Sequence, residues 1–306
     1  MATLREIAAQ YAVAQPQQVD DITVNAPVLD IAQFYPTNKG LHHAYEKIES
    51  IGEAALVAMD APLPSADVTT ALKTEDLGIM GFKIEAPVDK LADLYGRGTD
   101  AFASYLADRS PLIIRKSAMS VESQVIALMV AYAKEVGNIV SAGGSGQGHA
   151  IIMARFTQDN FCGLYDPNGF GQGAMFDTLI RCGGGTYERK ADGVICYGAD
   201  FKSYLDFLLD NPKCIGAIVN IDDTHKPTAD MIEDMLADAH AGEDGVTRII
   251  THPKSMKYIR AIKGNALSMT VNDTNISRAV GSWDQVPITT SYNQGTNGLF
   301  ANVVLA

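Results

Sequence analysis

The segment Met59-Asp-Ala-Pro-Leu-Pro-Ser-Ala-Asp67 consists of small residues and turn formers, and it lies between two stretches that favour strands. These stretches are Leu41–Ile48 and Leu77–Ala86, the second of which alternates loosely with a period of two. Few large apolar side chains lie between them to anchor the pair on a core. Because a two-stranded excursion is only marginally stable alone, residues 37–86 predict a long extended loop whose partner is a neighbouring subunit.

The residues before this loop predict little structure of their own. Gln15-Pro16-Gln17-Gln18 interrupts a weak helical pattern, and Pro27 and Pro36 interrupt the chain again before the loop begins. We therefore expect residues 1–36 to form an arm that crosses a surface and does not fold on its own chain.

Helices dominate after the loop. Val88–Tyr95 stops at Gly96, and Thr99–Arg109 is a second candidate that Pro111 closes. The strongest candidate, Ser120–Val136, has apolar residues around most of its circumference, which predicts a helix enclosed between layers. If the preceding helical residues join it, this element is unusually long.

Strands and helices come after the Gly-rich turn at 143–148, and their mixture indicates an α+β class with a mixed sheet. One amphipathic helix is predicted over Phe201–Leu209, because five apolar residues share a helical face: Phe201, Tyr204, Leu205, Leu208 and Leu209. The predicted strands are His149–Phe156, Gly193–Tyr197, Ile215–Ile221, Val246–Thr251, Val286–Thr290 and Phe300–Leu305, and the further helices are Thr228–Ala241 and Lys254–Lys263, the latter capped by Gly264.

Length and charge exclude several classes of protein. The 306 residues suffice for about two ordinary domains. With 36 Asp and Glu against 24 Lys and Arg, the net charge is −12, so specific DNA or RNA recognition is not expected. The longest apolar run, Val125–Ala133, is far shorter than the roughly 20 residues of a membrane span, and the N-terminus predicts no signal peptide.

The four cysteines predict no metal or redox motif. They contain no C-x-x-C pair, so we expect ordinary thiols, buried or half-buried, in a reducing cytoplasm. These residues are Cys162, Cys182, Cys196 and Cys214.

The loop Gly143–Gly148 is the most tempting catalytic motif. It lacks the lysine of a phosphate-binding loop and misses the dinucleotide pattern G-x-G-x-x-G. A nucleophile elbow around Ser145 is also incomplete, because Gln147 stands where the last glycine is needed. The favoured interpretation is a plain turn, and an enzyme that uses this loop stays open as an alternative.

Two groups of residues are weak candidates for a metal site: a pair of histidines and an acidic group with one histidine. His42 and His43 are adjacent, so in a strand their side chains point to opposite faces. Asp222 and Asp223 with His225 could bind a hard cation, but a short acidic run at a strand end more often forms a solvated turn. We predict no metal site here.

A cationic face is predicted near the end of the chain. Lys254, Lys257, Arg260 and Lys263 recur every three positions. In an acidic protein we expect such a face to be solvated or to face another subunit, with nucleic-acid binding as the less favoured alternative. Since no triad, carboxylate dyad or ligand cluster is found, the sequence predicts no enzyme and no catalytic, cofactor-binding or metal-binding residues.

An arm precedes a long extended loop, and a long helix then closes at Lys134-Glu-Val-Gly-Asn138. The passages that follow in order are Ile151-Ile-Met-Ala-Arg-Phe156 after the turn Gly143-Gly-Ser-Gly, Pro212-Lys-Cys-Ile-Gly-Ala-Ile-Val-Asn-Ile-Asp222, Arg248-Ile-Ile-Thr-His-Pro-Lys-Ser-Met-Lys-Tyr-Ile259 and Trp283-Asp-Gln-Val-Pro-Ile-Thr-Thr290. Taken in this order, these passages resemble the tailed-bacteriophage major capsid protein, with its Hong Kong 97-like fold, in which the long helix is the spine helix. Val286 stands where the family usually has glycine, and the predicted helix Phe201–Leu209 is a departure from the pattern.

The resemblance implies a shell subunit that encloses the double-stranded DNA of a tailed phage. The implied divisions are an N-terminal arm (1–36), an extended loop (37–86), a peripheral domain with the spine helix (87–220), an axial domain (221–290) and a C-terminal return strand (291–306). The implied partners are copies of the chain itself in pentamers and hexamers, separate scaffolding, portal and decoration proteins, and packaged DNA bound non-specifically, with no membrane and no cofactor. The implied location is the virion, and the host bacterial cytoplasm during assembly.

Two alternatives remain at this point: an encapsulin-like nanocompartment shell, and a soluble α/β enzyme that uses Gly143–Gly148. A perturbed titrating pair in a pocket at that loop would favour the enzyme. For the shell, residues 1–36 and 37–86 should both project from the body, and 36 residues are too few for a fused scaffolding domain. Deleting residues 58–72 should leave the helices intact and abolish closed shells.

Overall fold

The computed structural model describes most of the chain, and the predicted strand Phe300–Leu305 and the predicted cap Gly264 lie outside the described residues. These are residues 2–11, 16–52, 57, 59, 62, 67–144, 148–158, 161–168, 176–241, 244–263, 268–270 and 280–295.

The described elements confirm the α+β class. The helices are α1 (Leu4–Gln10), α2 (Pro16–Thr23), α3 (Pro27–Ile31), α4 (Val88–Leu94), α5 (Thr99–Glu135), α6 (Ala229–Asp238) and α7 (Pro253–Lys263). The strands are β1 (Phe34–Pro36), β2 (His42–Ile51), β3 (Val68–Asp76), β4 (Ile79–Pro87), β5 (Ile139–Ser141), β6 (Ile151–Phe156), β7 (Phe161–Tyr165), β8 (Asp177–Ile180), β9 (Tyr187–Glu188), β10 (Ile195–Leu209), β11 (Ile215–Val219), β12 (Val246–Thr251), β13 (Ser268–Thr270), β14 (Val280–Trp283) and β15 (Val286–Thr290).

A mixed sheet of seven strands forms the middle of a three-layer body. Its order is β13-β14-β15-β12-β6-β11-β5, with β12 parallel to β15 and β11 parallel to β5. Along β6, Ile151 and Met153 pack with α6 and α7, whereas Ile152 and Ala154 belong to the core that includes α5. This alternation places helices on both faces of the sheet. The sheet combines strands from both sides of the predicted boundary at 220, so the domain division remains a proposal.

A second sheet is built around β10, and here the predicted helix Phe201–Leu209 is wrong. β10 runs as one strand of 15 residues, pairing with β4 along one edge and with β9, β8 and β7 along the other. These ladders satisfy the backbone on both sides, and Phe201 stacks on Phe82 of β4 with ring centroids 4.7 Å apart. Tertiary pairing therefore overrides a local pattern with helical spacing.

The helix α5 is continuous over 37 residues, so the prediction that Pro111 closes a helix is wrong. Buried side chains such as Phe102 and Ile114 lie on both sides of Pro111 and pack in one core. This packing holds the two halves in one helix of about 55 Å. The part of the helix that was predicted to be enclosed, Ser120–Val136, is not enclosed all round, because Leu128 is exposed.

The N-terminal residues fold onto the core, which contradicts the predicted surface arm. Leu4, Ile7 and Ile22 of α1 and α2 are fully buried in the same cluster as α5. An ion pair of 2.7 Å between Arg115 and Asp21 also joins α5 to α2. The short helices persist because their buried apolar side chains join the core cluster that includes α5, on which α2 packs directly.

The hairpin β2–β3 forms a two-stranded sheet of its own, and in the described part of the chain neither strand pairs with a strand of the two larger sheets. The extended loop was expected to pair Leu41–Ile48 with Leu77–Ala86, and that pairing is wrong. β2 pairs with β3, while β4 belongs to the sheet around β10. Residues 1–36 and 37–86 were both expected to project from the body, and only the β2–β3 hairpin remains a candidate for this. Most of its tip, residues 53–66, lies outside the described residues.

Candidate intersubunit surfaces

The hairpin carries exposed apolar side chains on a strand with an open edge. In β3, eight of nine residues are exposed, among them Leu72 (74 %) and Val68 (55 %). Within the described part of the chain, β2 is the sole pairing partner of β3. An unpaired strand edge with apolar side chains is a surface that another chain can cover.

A charged clamp fixes the root of the hairpin to the body. Asp210, just after β10, accepts hydrogen bonds from Lys47 Nζ of β2 at 2.5 Å and Lys73 Nζ of β3 at 3.1 Å. Burial raises the pKa of Asp210, but the hydrogen bonds from the two lysines outweigh burial and lower it overall. The ionised carboxylate thus holds both strands of the hairpin.

Aromatic packing completes this root. Tyr45 is buried with Leu164 and Leu208, and the His43 ring stacks on it at 5.9 Å. Burial, followed by the charge of Asp210, raises the pKa of Tyr45, which keeps its hydroxyl protonated. The clamp was not predicted, because no local pattern links Lys47 to a carboxylate 163 residues away.

The two adjacent histidines point to opposite faces, as predicted. His42 is exposed and lies 2.6 Å from Asp76 on the neighbouring strand, whereas His43 is buried at the hairpin root. They are therefore not a metal pair.

The loop Gly143–Gly148 connects two strands, β5 and β6, and no helix starts at its end. A Cβ at Gly144 would lie 2.4 Å from the carbonyl oxygen of Asn220, and one at Gly148 would lie 1.4 Å from that of Ile221. These glycines allow the loop to pack directly on the chain after β11. Residues 145–147 lie outside the described residues, and so does the nucleophile-elbow candidate Ser145.

A perturbed histidine pair does lie next to this loop. The rings of His149 and His252 stack at 3.7 Å beside a cleft of about 360 Å³. Burial lowers the pKa of His149, and burial followed by the charge of His149 lowers the pKa of His252 to about 4. His252 Nδ1 accepts a hydrogen bond from the backbone N–H of Lys254 at 3.1 Å, so it caps α7. Its neutral ring thus has a structural role.

The acidic group after β11 forms a turn, as predicted. Asp222 Oδ1 accepts from the backbone N–H groups of Thr224 and His225 at 2.9 and 2.7 Å, and Asp223 Oδ1 pairs with Lys257 Nζ at 2.5 Å. Across the described residues, no group of three or more His, Cys, Asp or Glu side chains is arranged to hold a metal ion.

The predicted cationic face lies on α7, where Lys254, Lys257 and Arg260 are exposed. Lys263 is the last residue of this helix. None of the four cysteines, all of which lie in the described part of the chain, forms a disulfide; Cys182 is exposed, contrary to the expected burial, and the other three are buried. No helix in the described ranges has the length and apolarity to cross a membrane.

Comparison with known proteins finds similarity only at the level of structure: no family model and no curated protein sequence matches the chain. The bacteriophage JBD30 capsid superposes with a TM-score of 0.55 at 8 % identity, covering 89 % of this chain and 92 % of that one. The chain has a Hong Kong 97-like capsid fold. A chain of bacteriophage Epsilon15 gives a TM-score of 0.49 at 16 % identity with 85 % coverage of both chains.

A third similar structure is the SrpI encapsulin complex from Synechococcus elongatus PCC 7942. Its TM-score is 0.40 at 13 % identity, and the match covers 66 % of this chain and 90 % of that one. The predicted spine helix lies within α5, which ends at Glu135, and the β2–β3 hairpin lies within residues 37–86, the predicted extended loop.

Proposed function

We propose that this chain is the major shell subunit of a tailed-bacteriophage capsid, a structural protein and not an enzyme. The observation that carries the proposal is the superposition on the JBD30 capsid over nearly the whole length of both chains. The exposed hairpin supports it, because its apolar side chains and open edge need a second molecule to cover them.

The proposed partners are those that this role requires. Copies of the chain associate through the hairpin into pentamers and hexamers of a closed shell. The shell encloses double-stranded DNA, and the net charge of −12 suits a wall that holds DNA without gripping it. Separate scaffolding, portal and decoration proteins complete the proposed set. The proposed locations are the virion and, during assembly, the host cytoplasm.

A shortened hairpin tests this function. In this variant, Asn-Gly replaces residues 48–70. Lys47 and Ala71, which are paired in the β2–β3 ladder, are then connected by a two-residue turn. This change keeps Lys47 and Lys73 at Asp210, whereas deleting residues 58–72 would remove half of β3. The Asn-Gly variant thus removes the projecting part of the hairpin and leaves its root in place.

We expect the shortened chain to keep the circular dichroism and the melting temperature of the full chain but to form no closed particles. Closed particles from the shortened chain would contradict the role of the hairpin. Particles of the full chain that carry protein cargo and exclude DNA in cells would instead indicate a nanocompartment.

A further inference from the structure

The helices α6 and α7, on the face of the seven-stranded sheet opposite α5, carry opposite charges. Ile232 and Met235 of α6, and Met256 and Ile259 of α7, pack together against the same face of the sheet. The polar residues of both helices therefore face outward on the same side of the body. The exposed acidic residues of α6 are Asp230, Glu233, Asp234 and Asp238, and the exposed basic residues of α7 are Lys254, Lys257 and Arg260.

These charges are only partly compensated within the described part of the chain, where Lys257 pairs with Asp223. Asp230, Asp234 and Asp238 recur at i, i+4 spacing, where like charges destabilise a helix. The last turn of α6 carries Asp238 and no basic residue, and the first turn of α7 carries Lys254 and no acidic residue, so both oppose the helix dipole. Among the described residues, no ion pair connects an α6 carboxylate to an α7 base.

A cleft beside the acidic face fits a long basic side chain. The cleft has a volume of about 500 Å³ and lies between α6 and the turn that joins β14 to β15. Leu236, Val286 and Pro287 give it apolar walls, and Glu233 and Asp284 add carboxylates. Lysine and arginine combine an apolar stem with a cationic end, which matches this lining.

We propose that the acidic face of α6 in one copy receives the cationic face of α7 from a second copy, with a basic side chain in the cleft. The two charged faces have similar lengths, about 12 Å from Asp230 to Asp238 and about 9 Å from Lys254 to Arg260. Because each copy carries both faces, the contact runs head to tail and can close a ring. This inference rests on the proposed shell function and identifies a contact between its subunits.

Cross-linking on assembled particles tests the contact directly. Particles are formed from an equal mixture of unlabelled and ¹⁵N-labelled chain and are treated with a carbodiimide, which joins amines to nearby carboxylates. We expect mixed-label links between Lys254 and the α6 carboxylates. Lys257 and Asp223 provide an internal control, because their 2.5 Å ion pair lies within one chain and gives only links of a single label.

Charge reversal gives a second, functional test. Asp230→Lys with Asp234→Lys, or Lys254→Glu with Arg260→Glu, should each lower the assembled fraction at low salt at least tenfold, because like charges then meet. The four substitutions together restore complementarity and should recover assembly to within about twofold of the original chain. All four positions are exposed, so unchanged circular dichroism is expected and checked.

The outcomes separate this inference from the proposed function. If the original chain forms no particles, both the function and this contact are overturned. If particles form with only the control cross-link, or if the fourfold variant assembles no better than the weaker double variant, the contact alone is overturned.

Discussion

The carboxylate of Glu122 accepts a hydrogen bond of 2.7 Å from the backbone N–H of Val28, which lies 94 residues earlier in the chain. Its other oxygen accepts from the hydroxyl of Ser291 and from Asn293 Nδ2, the latter at 2.9 Å. Glu122 is fully buried in α5, and burial raises its pKa although these hydrogen bonds act in the opposite direction. One side chain thus joins α5 to the N-terminal helices and to the segment after β15.

Removing this carboxylate should strongly destabilise the chain. Glu122→Ala leaves several buried donors without an acceptor, and each such group costs about 1–3 kcal/mol. We expect the free energy of unfolding in urea to fall by about 3 kcal/mol or more. Glu135→Ala, at an exposed position of the same helix, should change it by less than about 0.5 kcal/mol. Equal effects would contradict the bridging role.

The N-terminal helices should behave as core. Ile22 is fully buried, whereas Val24, two residues later, is 55 % exposed. We expect Ile22→Ala to lower the free energy of unfolding by about 2–5 kcal/mol and Val24→Ala to change it by less than about 0.5 kcal/mol. A negligible loss for Ile22→Ala would show that residues 1–36 form a loose arm after all.

The hairpin clamp should stabilise the fold in a pH-dependent manner. The pKa of Asp210 is lowered in the folded chain, so its contribution is present above the ordinary pKa near 3.9 and is lost as the pH falls through the folded value. Asp210→Asn should therefore destabilise the chain by about 1–2 kcal/mol at pH 7.

Urea unfolding at several pH values measures this effect, and the difference between the variant and the original chain should shrink below about pH 4. The control at pH 7 is Asp93→Asn on α4, an exposed carboxylate that should change stability by less than about 0.5 kcal/mol. A difference independent of pH would argue against the ion pairs.

The stacked histidines should make the chain sensitive to mild acid. Since the pKa of His252 falls to about 4 in the folded chain, the unfolded chain binds the proton more tightly between that value and about 6.5. Stability should therefore decline as the pH drops through this window. His252→Asn retains a helix-capping oxygen and should flatten this part of the pH profile, measured by urea midpoints from pH 7 to 4.5. An unchanged slope would contradict the assignment.

The sequence predicted correctly those elements whose own residues and immediate neighbours determine their structure. Val246–Thr251 is rich in β-branched residues and ends before His252 and Pro253, and Val286–Thr290 is also rich in β-branched residues. Both strands have the predicted bounds. The histidine arrangement at His42 and His43 was likewise predictable from strand geometry alone.

The errors arose where distant partners decide the structure. The apolar spacing of Phe201–Leu209 fits a helix, but β4, far earlier in the chain, pairs with this segment and makes it a strand. Pro111 breaks an isolated helix, yet buried neighbours on both sides hold α5 together. The clamp at Asp210 likewise depends on side chains that only the folded chain brings together.

Negative-stain electron microscopy of the purified 306-residue chain tests the central claim most directly. A shell subunit with a Hong Kong 97-like fold and a hairpin that needs a neighbour should form closed particles or ring-shaped capsomers of uniform size. Dispersed compact monomers at every protein and salt concentration tried would contradict the proposed function.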